Sequence, residues 1–203
     1  MLKNLIFDFG GVILKHKTTI MEEIISQLFS VSFDQASEIW LKYKVLLLTG
    51  EITSSQFLRQ LKIRFRSPLS VHQLLTEWKR LYQEKAKGVN WDLLALIKKL
   101  KRSYQVFLFT DIIDVHDAFN RQRHIYEVFN RVFKSYEEGL SKQNPAAFTN
   151  LLNKIRAKAQ DCLFIDDLEA NVTQAKNSGM KGIVFKDNQQ LKKNLVAQGI
   201  ALE

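Results

Sequence analysis

A short apolar segment near the start of the chain stands before the first long helical pattern. Residues 5–7 are Leu, Ile and Phe, Asp8 follows them, and Gly10 and Gly11 come soon afterwards. A buried run of this length cannot be assigned by periodicity alone, but glycines at its end favour a strand that enters a tight turn. We therefore predict a core strand over residues 3–8 that carries Asp8 at its carboxyl end.

Helical periodicity dominates the next part of the chain, from about residue 17 to residue 87. Apolar residues recur there at the spacing that places them on one face of a helix. Residues suited to helix capping open the successive segments: Thr19 with Glu22, Ser32 or Asp34, Thr53 or Ser54, and Ser70 with Gln73. The pattern predicts four helices in succession, which form a small bundle.

After Gly88 the pattern changes to short apolar runs that alternate with amphipathic helices. We predict strands over residues 104–110, 131–135, 162–165 and 182–185, and helices over residues 91–100, 115–128, 146–155, 170–176 and 191–197. Strands that alternate with helices form a parallel sheet covered on both faces. The expected fold class is α/β: a Rossmann-like, three-layer core of residues 1–16 and 88–203, with a four-helix cap of residues 17–87 inserted after the first strand.

The composition is that of an ordinary soluble domain. Apolar residues make up 46% of the chain and charged residues 25%. No segment approaches the ~20 apolar residues of a membrane span, and Asp8 interrupts the start where a signal peptide would be apolar. Cys162 is the one cysteine, so an internal disulfide framework is excluded. We expect a cytoplasmic protein without a membrane partner.

The formal net charge of +9 favours anionic partners. The basic residues are spread along the chain, and the densest group falls at the end of a predicted helix: Arg59, Lys62, Arg64 and Arg66. Aromatic residues do not interleave this group, as a stacking platform for nucleic acid requires. The group indicates a solvated helix face, so we expect a small phosphorylated metabolite as the partner and no nucleic acid.

Three aspartates follow predicted strands. Asp8 ends the first strand, and Asp166 and Asp167 follow the apolar run over residues 162–165. The carboxyl ends of parallel strands meet at one edge of the sheet, where ligand sites form. Carboxylates gathered there repel one another unless a divalent cation lies among them, and ligands that are all oxygen atoms favour Mg²⁺. The alternative for Asp166 and Asp167 is a structural role at the start of the next helix, whose dipole would stabilise Asp167.

Two groups able to hold a phosphate fall near the same edge. Thr110 ends the second predicted core strand, and Lys142 lies in a loop before a predicted helix. A hydroxyl and an ammonium group donate hydrogen bonds to phosphoryl oxygens, and an aspartate beside bound Mg²⁺ can attack phosphorus. We assign these roles: Asp8 as nucleophile and metal ligand, Asp166 and Asp167 as metal ligands, and Thr110 and Lys142 as the catalytic groups that hold the phosphate.

Taken in this order, these elements resemble the haloacid dehalogenase superfamily of phosphatases and related hydrolases. Its first and second motifs match Asp8 within I-F-D-F-G-G-V-I and Thr110 after V-F-L-F. Its third and fourth motifs match Lys142 and the F-I-D-D of residues 164–167. The spacing leaves room for a helical cap between the first two motifs, and the resemblance covers nearly the whole chain.

Within that superfamily the chain is most similar to the bacterial sugar-1-phosphate phosphatase branch. The similarity lies in the cap segment of residues 50–53, Gly-Glu-Ile-Thr, and in the glycine at position 10. The resemblance implies that the backbone carbonyl of Gly10 joins the Mg²⁺ ligands. It also implies that Gly11 and Asp111 bind the substrate together with Thr110 and Lys142.

Three positions depart from the usual motifs of the superfamily. Most of its phosphatases carry a second aspartate two residues after the nucleophile, which protonates the leaving oxygen, and Gly10 occupies that position here. Asp111 replaces the usual Asn, and the third motif continues as Gln-Asn-Pro after Lys142. Loss of the acid should slow cleavage of alkyl phosphates by ~100- to 10,000-fold and matter less for anomeric or acyl phosphates.

We therefore expect a Mg²⁺-dependent phosphatase that acts on a small phosphorylated metabolite, with sugar phosphates among the candidates. The altered motifs leave open a catalytically weakened relative that binds a phosphorylated ligand or a protein partner. Dehalogenase chemistry, with Asp8 attacking carbon, is disfavoured by the paired aspartates, and the inserted helices disfavour a response-regulator receiver. The sequence identifies neither the substrate nor the oligomeric state.

Overall fold

Five parallel strands form the sheet at the centre of the molecule. The structure is a computed structural model that describes residues 2–15, 18–86 and 88–202. In chain order the strands are β1 (Asn4–Phe7), β2 (Leu14–Lys15), β3 (Gly88–Val89), β4 (Gln105–Thr110), β5 (Arg131–Lys134), β6 (Cys162–Asp166) and β7 (Lys181–Val184). The sheet order is β5-β4-β1-β6-β7, and all neighbours run parallel. This topology confirms the α/β fold class with a Rossmann-like core.

Helices account for most of the remaining chain. In order they are α1 (Ile20–Phe29), α2 (Phe33–Leu48), α3 (Ser54–Arg64), α4 (Val71–Lys85), α5 (Trp91–Leu100), α6 (Asp114–Arg121), α7 (Ser135–Glu138), α8 (Ala146–Ile155), α9 (Glu169–Asn177) and α10 (Asn188–Ala197). The first four lie between β2 and β3, and the others lie between or after the later strands. The alternation of strands and helices after residue 88 therefore agrees with the sequence-based prediction.

Apolar side chains at alternate positions of β1 enter two separate packed clusters. Leu5 and Phe7 belong to a cluster that includes residues of α5 and α10, and Ile6 belongs to one that includes residues of α8 and α9. These three side chains are completely buried. Successive side chains of a strand point to opposite faces of its sheet, so helices cover both faces and produce the three-layer arrangement.

A two-stranded antiparallel ribbon connects the core with the inserted helices. Leu14 of β2 pairs with Val89 of β3, and Lys15 pairs with Gly88. Two-residue strands are too short to give a recognisable pattern, so the sequence does not predict this ribbon. The expected domain boundaries fall next to it, at positions 16–17 and 87–88, where His16, Lys17 and Lys87 lie outside the described residues.

Capping boxes begin three of the four inserted helices. The side chains of Ser32, Thr53 and Ser70 each accept a hydrogen bond from a backbone N–H in the first turn, as predicted. The first helix departs from the prediction, because Thr19 makes no side-chain capping bond and its hydroxyl donates to Glu23 instead. The helices therefore begin close to the expected positions, although the proposed box of Thr19 and Glu22 is wrong.

The single helix predicted over residues 115–128 is interrupted. Helix α6 ends at Arg121, His124 adopts a left-handed backbone conformation with φ of 56°, and a 3₁₀ helix covers Ile125–Val128. A continuous α-helix cannot contain a left-handed residue, since its hydrogen-bond ladder breaks there. No helix within the described parts of the chain is long and apolar enough to span a membrane.

Candidate active site

The central strands of the sheet deliver polar residues to one edge. Asp8 directly follows β1, Thr110 is the last residue of β4, and Asp166 is the last residue of β6. The backbone N–H of Asp8 still donates to the carbonyl of Ile165 at 2.8 Å, which continues the pairing of β1 with β6. The three side chains therefore meet where parallel strands end, as their positions in the sequence predict.

Three carboxylates form a cluster at this edge. One oxygen each of Asp8, Asp166 and Asp167 lies within 4.8 Å of the other two. Asp166 is completely buried; its Oδ1 accepts from the backbone N–H of Leu168 at 2.8 Å, and both of its oxygens accept from Asn171 Nδ2 at 3.1 and 3.0 Å. An all-oxygen cluster of this kind is able to bind a hard divalent cation.

Lys142 places its ammonium group between two of these carboxylates. Its Nζ donates to Asp8 Oδ1 at 2.5 Å and to Asp166 Oδ2 at 2.7 Å, and the residue is only 1% exposed. The aromatic rings of Phe109 and Phe164 flank Nζ at 5.7 and 5.5 Å. Despite the altered third motif, the lysine reaches the first and fourth motifs.

Asp111 accounts for the position of Lys142. Both carboxylate oxygens of Asp111 accept from the backbone N–H of Lys142, at 3.0 and 3.2 Å. Asp111 follows β4 directly, so this bond anchors the loop to the edge of the sheet. Asp111 was predicted to bind the substrate, and its contact with Lys142 gives it a structural role that no local sequence pattern indicates.

The buried charges change the acidity of the site. Burial raises the pKa of Asp8 to about 8, even though the positive charge of Lys142 lowers it. Burial would lower the pKa of Lys142, but the negative charges of Asp8 and Asp166 outweigh this effect and raise it. One ammonium group therefore does not compensate two buried carboxylates fully, and a divalent cation would supply the missing positive charge.

Gly11 is required by the position of Asp167. Its φ of +72° is left-handed, and a Cβ atom at this position would lie 2.1 Å from Asp167 Oδ2. A side chain here would displace a carboxylate of the cluster. Gly11 was predicted to bind substrate, and the structure places it directly against a predicted metal ligand.

A cavity of about 410 Å³ opens above the carboxylates, between the core and the inserted helices. The core side contributes Asp8, Gly10, Gly11, Thr110, Asp111 and Asp167 among others. The inserted helices and the residues before them contribute Thr18, Ile20, Met21, Trp40, Lys44, Leu48 and Tyr82, which we call the upper wall. The volume of the cavity lies within the range of about 300–1,000 Å³ that is usual for small-molecule sites.

The family model of haloacid dehalogenase-like hydrolases matches residues 2–179. The chain belongs to this family. It is similar to the D-ribitol-5-phosphate phosphatase of Bacteroides thetaiotaomicron, with 22% identity over 89% of this chain and 90% of that protein. It is also similar to a sesquiterpene phosphatase of Aspergillus oryzae, with 24% identity over 92% of this chain and 91% of that protein.

The fold of this haloacid dehalogenase-like hydrolase agrees with solved structures. One is an HAD family enzyme from Bacteroides thetaiotaomicron in complex with magnesium and inorganic phosphate. It aligns with a TM-score of 0.78 and 21% identity, and the match covers 94% of this chain and 99% of that one. A second is a predicted HAD-like family hydrolase from Porphyromonas gingivalis, with a TM-score of 0.82, 18% identity and 99% coverage of both chains.

His116 of this haloacid dehalogenase-like hydrolase is a buried residue that lines the cavity. Its Nε2 accepts a hydrogen bond from Trp78 Nε1 at 2.9 Å, and its ring stacks on Tyr82 with centroids 3.7 Å apart. Trp78 and Tyr82 belong to α4, and His116 belongs to α6. The contact therefore joins an inserted helix to the core beside the cavity.

The upper wall is the part of the site that the sequence does not predict. Its members come from α1, α2 and α4, and Thr18 lies two residues before α1. None belongs to a short motif, because their common position depends on how three helices pack over the sheet. Trp40 contributes to this wall and also packs against the main apolar cluster.

Proposed function

We propose that this hydrolase is a Mg²⁺-dependent phosphatase of a small phosphorylated metabolite, and that it acts through an aspartyl-phosphate at Asp8. One observation carries the proposal. Asp8 lies at the base of a cavity with its carboxylate bonded to Lys142 and clustered with Asp166 and Asp167. This arrangement combines a nucleophile, a cation site and a phosphate-binding ammonium group in one place.

The residues present fit Mg²⁺. The carboxylates of Asp8, Asp166 and Asp167 offer oxygen ligands at compatible spacing, and the backbone carbonyl of Gly10, which lines the same cavity, is the fourth protein ligand in this proposal. When bound there, Mg²⁺ neutralises negative charge on the phosphoryl oxygens and on the carboxylates. The solved relative that contains magnesium and inorganic phosphate supports this assignment.

The proposed reaction has two displacements at phosphorus. A carboxylate oxygen of Asp8 attacks phosphorus while the bond to the ester oxygen breaks, and the alcohol leaves as its alkoxide, which takes a proton from water. Water then attacks the phosphorus of the aspartyl-phosphate, the bond to Asp8 breaks, and inorganic phosphate is released with the proton. Lys142 and Thr110 hold the phosphoryl oxygens during both steps.

Gly10 limits which esters react quickly. A carboxylic acid two residues after Asp8 would protonate the leaving oxygen, and glycine has no side chain for this task. Esters whose alcohols are already acidic need this help least. The proposed enzyme therefore favours good leaving groups over simple alkyl groups.

The cap also takes part in the proposal. The helices between β2 and β3 form one side of the cavity, and we infer that they close over the bound ester and select it. The relatives named D-ribitol-5-phosphate phosphatase and sesquiterpene phosphatase support a small phosphate ester as substrate. A sugar or polyol phosphate is one candidate on this ground, and the phosphate ester of an apolar alcohol is another.

The second candidate function is a weakened relative that binds a phosphorylated ligand or a protein partner. Gly10 favours it, because the usual acid is missing. Binding without turnover would also keep the cavity and the carboxylate cluster. Turnover therefore distinguishes the two candidates.

The experiment measures phosphate release from acetyl phosphate and p-nitrophenyl phosphate with Mg²⁺, for the wild type, Asp8→Asn and Asp92→Asn. We expect turnover by the wild type and a loss of at least about a thousandfold in Asp8→Asn. Asp92 is an exposed aspartate in the first turn of α5, so Asp92→Asn makes the same substitution on the protein surface and serves as the control. Turnover that survives in Asp8→Asn would refute the nucleophile, and binding of phosphate without turnover by the wild type would favour the second candidate.

A further inference from the structure

The upper wall of the cavity is predominantly apolar. Among the described residues that form it, five are apolar or aromatic: Ile20, Met21, Trp40, Leu48 and Tyr82. The remaining two are Thr18 and Lys44. The core side adds further apolar contacts at Phe9, Ile112 and Ile113. The part of the substrate that lies away from phosphorus therefore meets mainly hydrocarbon.

Polar groups on the core side are largely engaged within the protein. Asn171 Nδ2 donates to Asp166, and the Asp111 carboxylate accepts from the backbone N–H of Lys142. The Nε2 atom of His116 accepts from Trp78. These bonds reduce the number of groups along the cavity that could replace the water molecules around a hydroxylated substrate.

Lys44 is the charged member of the upper wall. Burial raises the pKa of Asp111, which follows β4 at the edge of the sheet, and the positive charges of Lys142 and Lys44 act against this effect. A cation near this edge complements a phosphoryl group and the acidic residues around it. We therefore assign Lys44 to the end of the cavity that holds the phosphate. Thr18 is then the one polar residue of the upper wall beside the alcohol part of the substrate.

A polyol would be poorly accommodated by such a wall. Each hydroxyl that loses water without gaining a protein partner costs free energy on burial, whereas burial of apolar carbon is favourable. An apolar alcohol gains from the same surface that penalises a sugar. The wall thus discriminates by polarity of the alcohol, independently of the leaving-group effect of Gly10.

We propose that the substrate is a phosphate monoester of an apolar alcohol, whose hydrocarbon body packs against Ile20, Met21, Trp40 and Leu48 while its phosphate lies over Asp8. This inference rests on the proposed phosphatase function, and it names the substrate class of the same site. The hydrocarbon body is an aliphatic chain or an aromatic ring of a size that fits about 410 Å³.

The test compares esters that differ in polarity but all release a primary alcohol. Hexyl phosphate and sorbitol 6-phosphate are both six-carbon esters of a primary alcohol, and 2-phenylethyl phosphate is their aromatic counterpart. We expect kcat/KM for hexyl phosphate or 2-phenylethyl phosphate to exceed that for sorbitol 6-phosphate by about tenfold or more. The ratio between the two apolar esters distinguishes an aliphatic from an aromatic body. Equal values, or a preference for sorbitol 6-phosphate, would overturn the inference.

Binding separates this inference from the proposed function. Dissociation constants for hexyl phosphate and sorbitol 6-phosphate are measured with Asp8→Asn protein and Mg²⁺, where no turnover is expected. Tighter binding of hexyl phosphate than of sorbitol 6-phosphate would support the apolar substrate class. Failure of the wild type to hydrolyse acetyl phosphate would refute the phosphatase activity but not this binding preference. Failure of both esters to bind would overturn the substrate assignment.

Substitutions in one helix supply matched controls. Trp40→Gln makes the wall polar, whereas Leu41→Gln makes the same kind of change at a neighbouring residue that is 70% exposed. We expect Trp40→Gln to reduce the preference for hexyl phosphate over sorbitol 6-phosphate by about tenfold, and Leu41→Gln to leave it unchanged. Met21→Gln on α1 repeats the test if Trp40→Gln does not fold. An unchanged preference in a folded wall variant would refute the inference.

Discussion

The ammonium group of Lys142 donates a hydrogen bond to the Oδ1 atom of Asp8 at 2.5 Å. The residue proposed to hold the phosphate therefore also holds the proposed nucleophile in the free protein. A second bond to Asp166 places the same cation between the first and the fourth motif. A phosphoryl group that enters the site meets a lysine that is already fixed in position, which reduces the cost of ordering it on binding.

Loss of this lysine should destabilise the protein. Lys142→Met leaves two buried carboxylates without their cation, and we expect the free energy of unfolding to fall by about 3–5 kcal/mol. Lys154→Met removes a lysine that also pairs with one carboxylate but is 39% exposed, so it should cost about 1 kcal/mol or less. Urea denaturation in the absence of metal measures the free energy of unfolding of both variants. Because Mg²⁺ would neutralise the same carboxylates, it should reduce the deficit of Lys142→Met, and similar losses in both variants would contradict this account.

Restoring an acid at position 10 should change the leaving-group preference. In Gly10→Asp the new carboxyl group can protonate the ester oxygen, so we expect hydrolysis of hexyl phosphate to become faster by ~100-fold or more. The gain should be small for p-nitrophenyl phosphate, whose phenol is acidic. Gly10→Asn has the same size without an acidic proton and serves as the control. An equal gain in both variants would show that size, not acidity, matters at this position.

A methyl group at position 11 should weaken cation binding. Gly11→Ala would place a carbon atom against Asp167, and we expect the dissociation constant for Mg²⁺ to rise by about 10- to 100-fold. Gly139→Ala carries the same backbone strain, with φ of +69°, but its Cβ would meet no atom within 4 Å. Calorimetric titration with Mg²⁺ measures the dissociation constant of each variant. If Gly139→Ala weakened Mg²⁺ binding to the same extent, backbone strain would be the cause.

The raised pKa of Asp8 predicts that Mg²⁺ binding depends on pH. Burial raises this pKa to about 8 in the metal-free protein, and Mg²⁺ requires the ionised carboxylate, so binding of the cation releases a proton below that pH. The dissociation constant should therefore fall as pH rises, by up to tenfold per pH unit below the pKa, and level off above it. Calorimetry in buffers of different ionisation enthalpy measures the released proton. Asp8→Asn should abolish this dependence, and a flat profile in the wild type would refute the assignment.

Most of the sheet and of the helices could be predicted from the sequence. Apolar runs that end in polar residues located the five core strands, because parallel strands are buried on both faces and so form continuous hydrophobic segments. The ribbon of β2 and β3 escaped prediction, since two residues carry no measurable periodicity. The break after Arg121 also escaped it, because His124 has no strong local preference for a left-handed turn.

The base of the site was more predictable than its wall. Asp8, Thr110 and Asp166 stand at strand ends, so topology alone brings them together. The reach of Lys142 depends on a long-range contact with Asp111, and no spacing along the chain encodes that bond. The upper wall depends on packing between separate helices, which is why its residues emerged only from the structure.

The central position of β1 has a consequence for how the chain acquires its fold. Its partners are β4 and β6, whose pairing residues begin at Gln105 and Cys162. At about 5–20 residues per second, synthesis needs roughly 8–30 seconds to proceed from β1 to the end of β6. Until β4 is made, the apolar residues 5–7 have no strand to pair with, and the other side of β1 stays open until β6 emerges. The unpaired edge of this first strand should therefore be prone to aggregation in the nascent chain until β6 emerges.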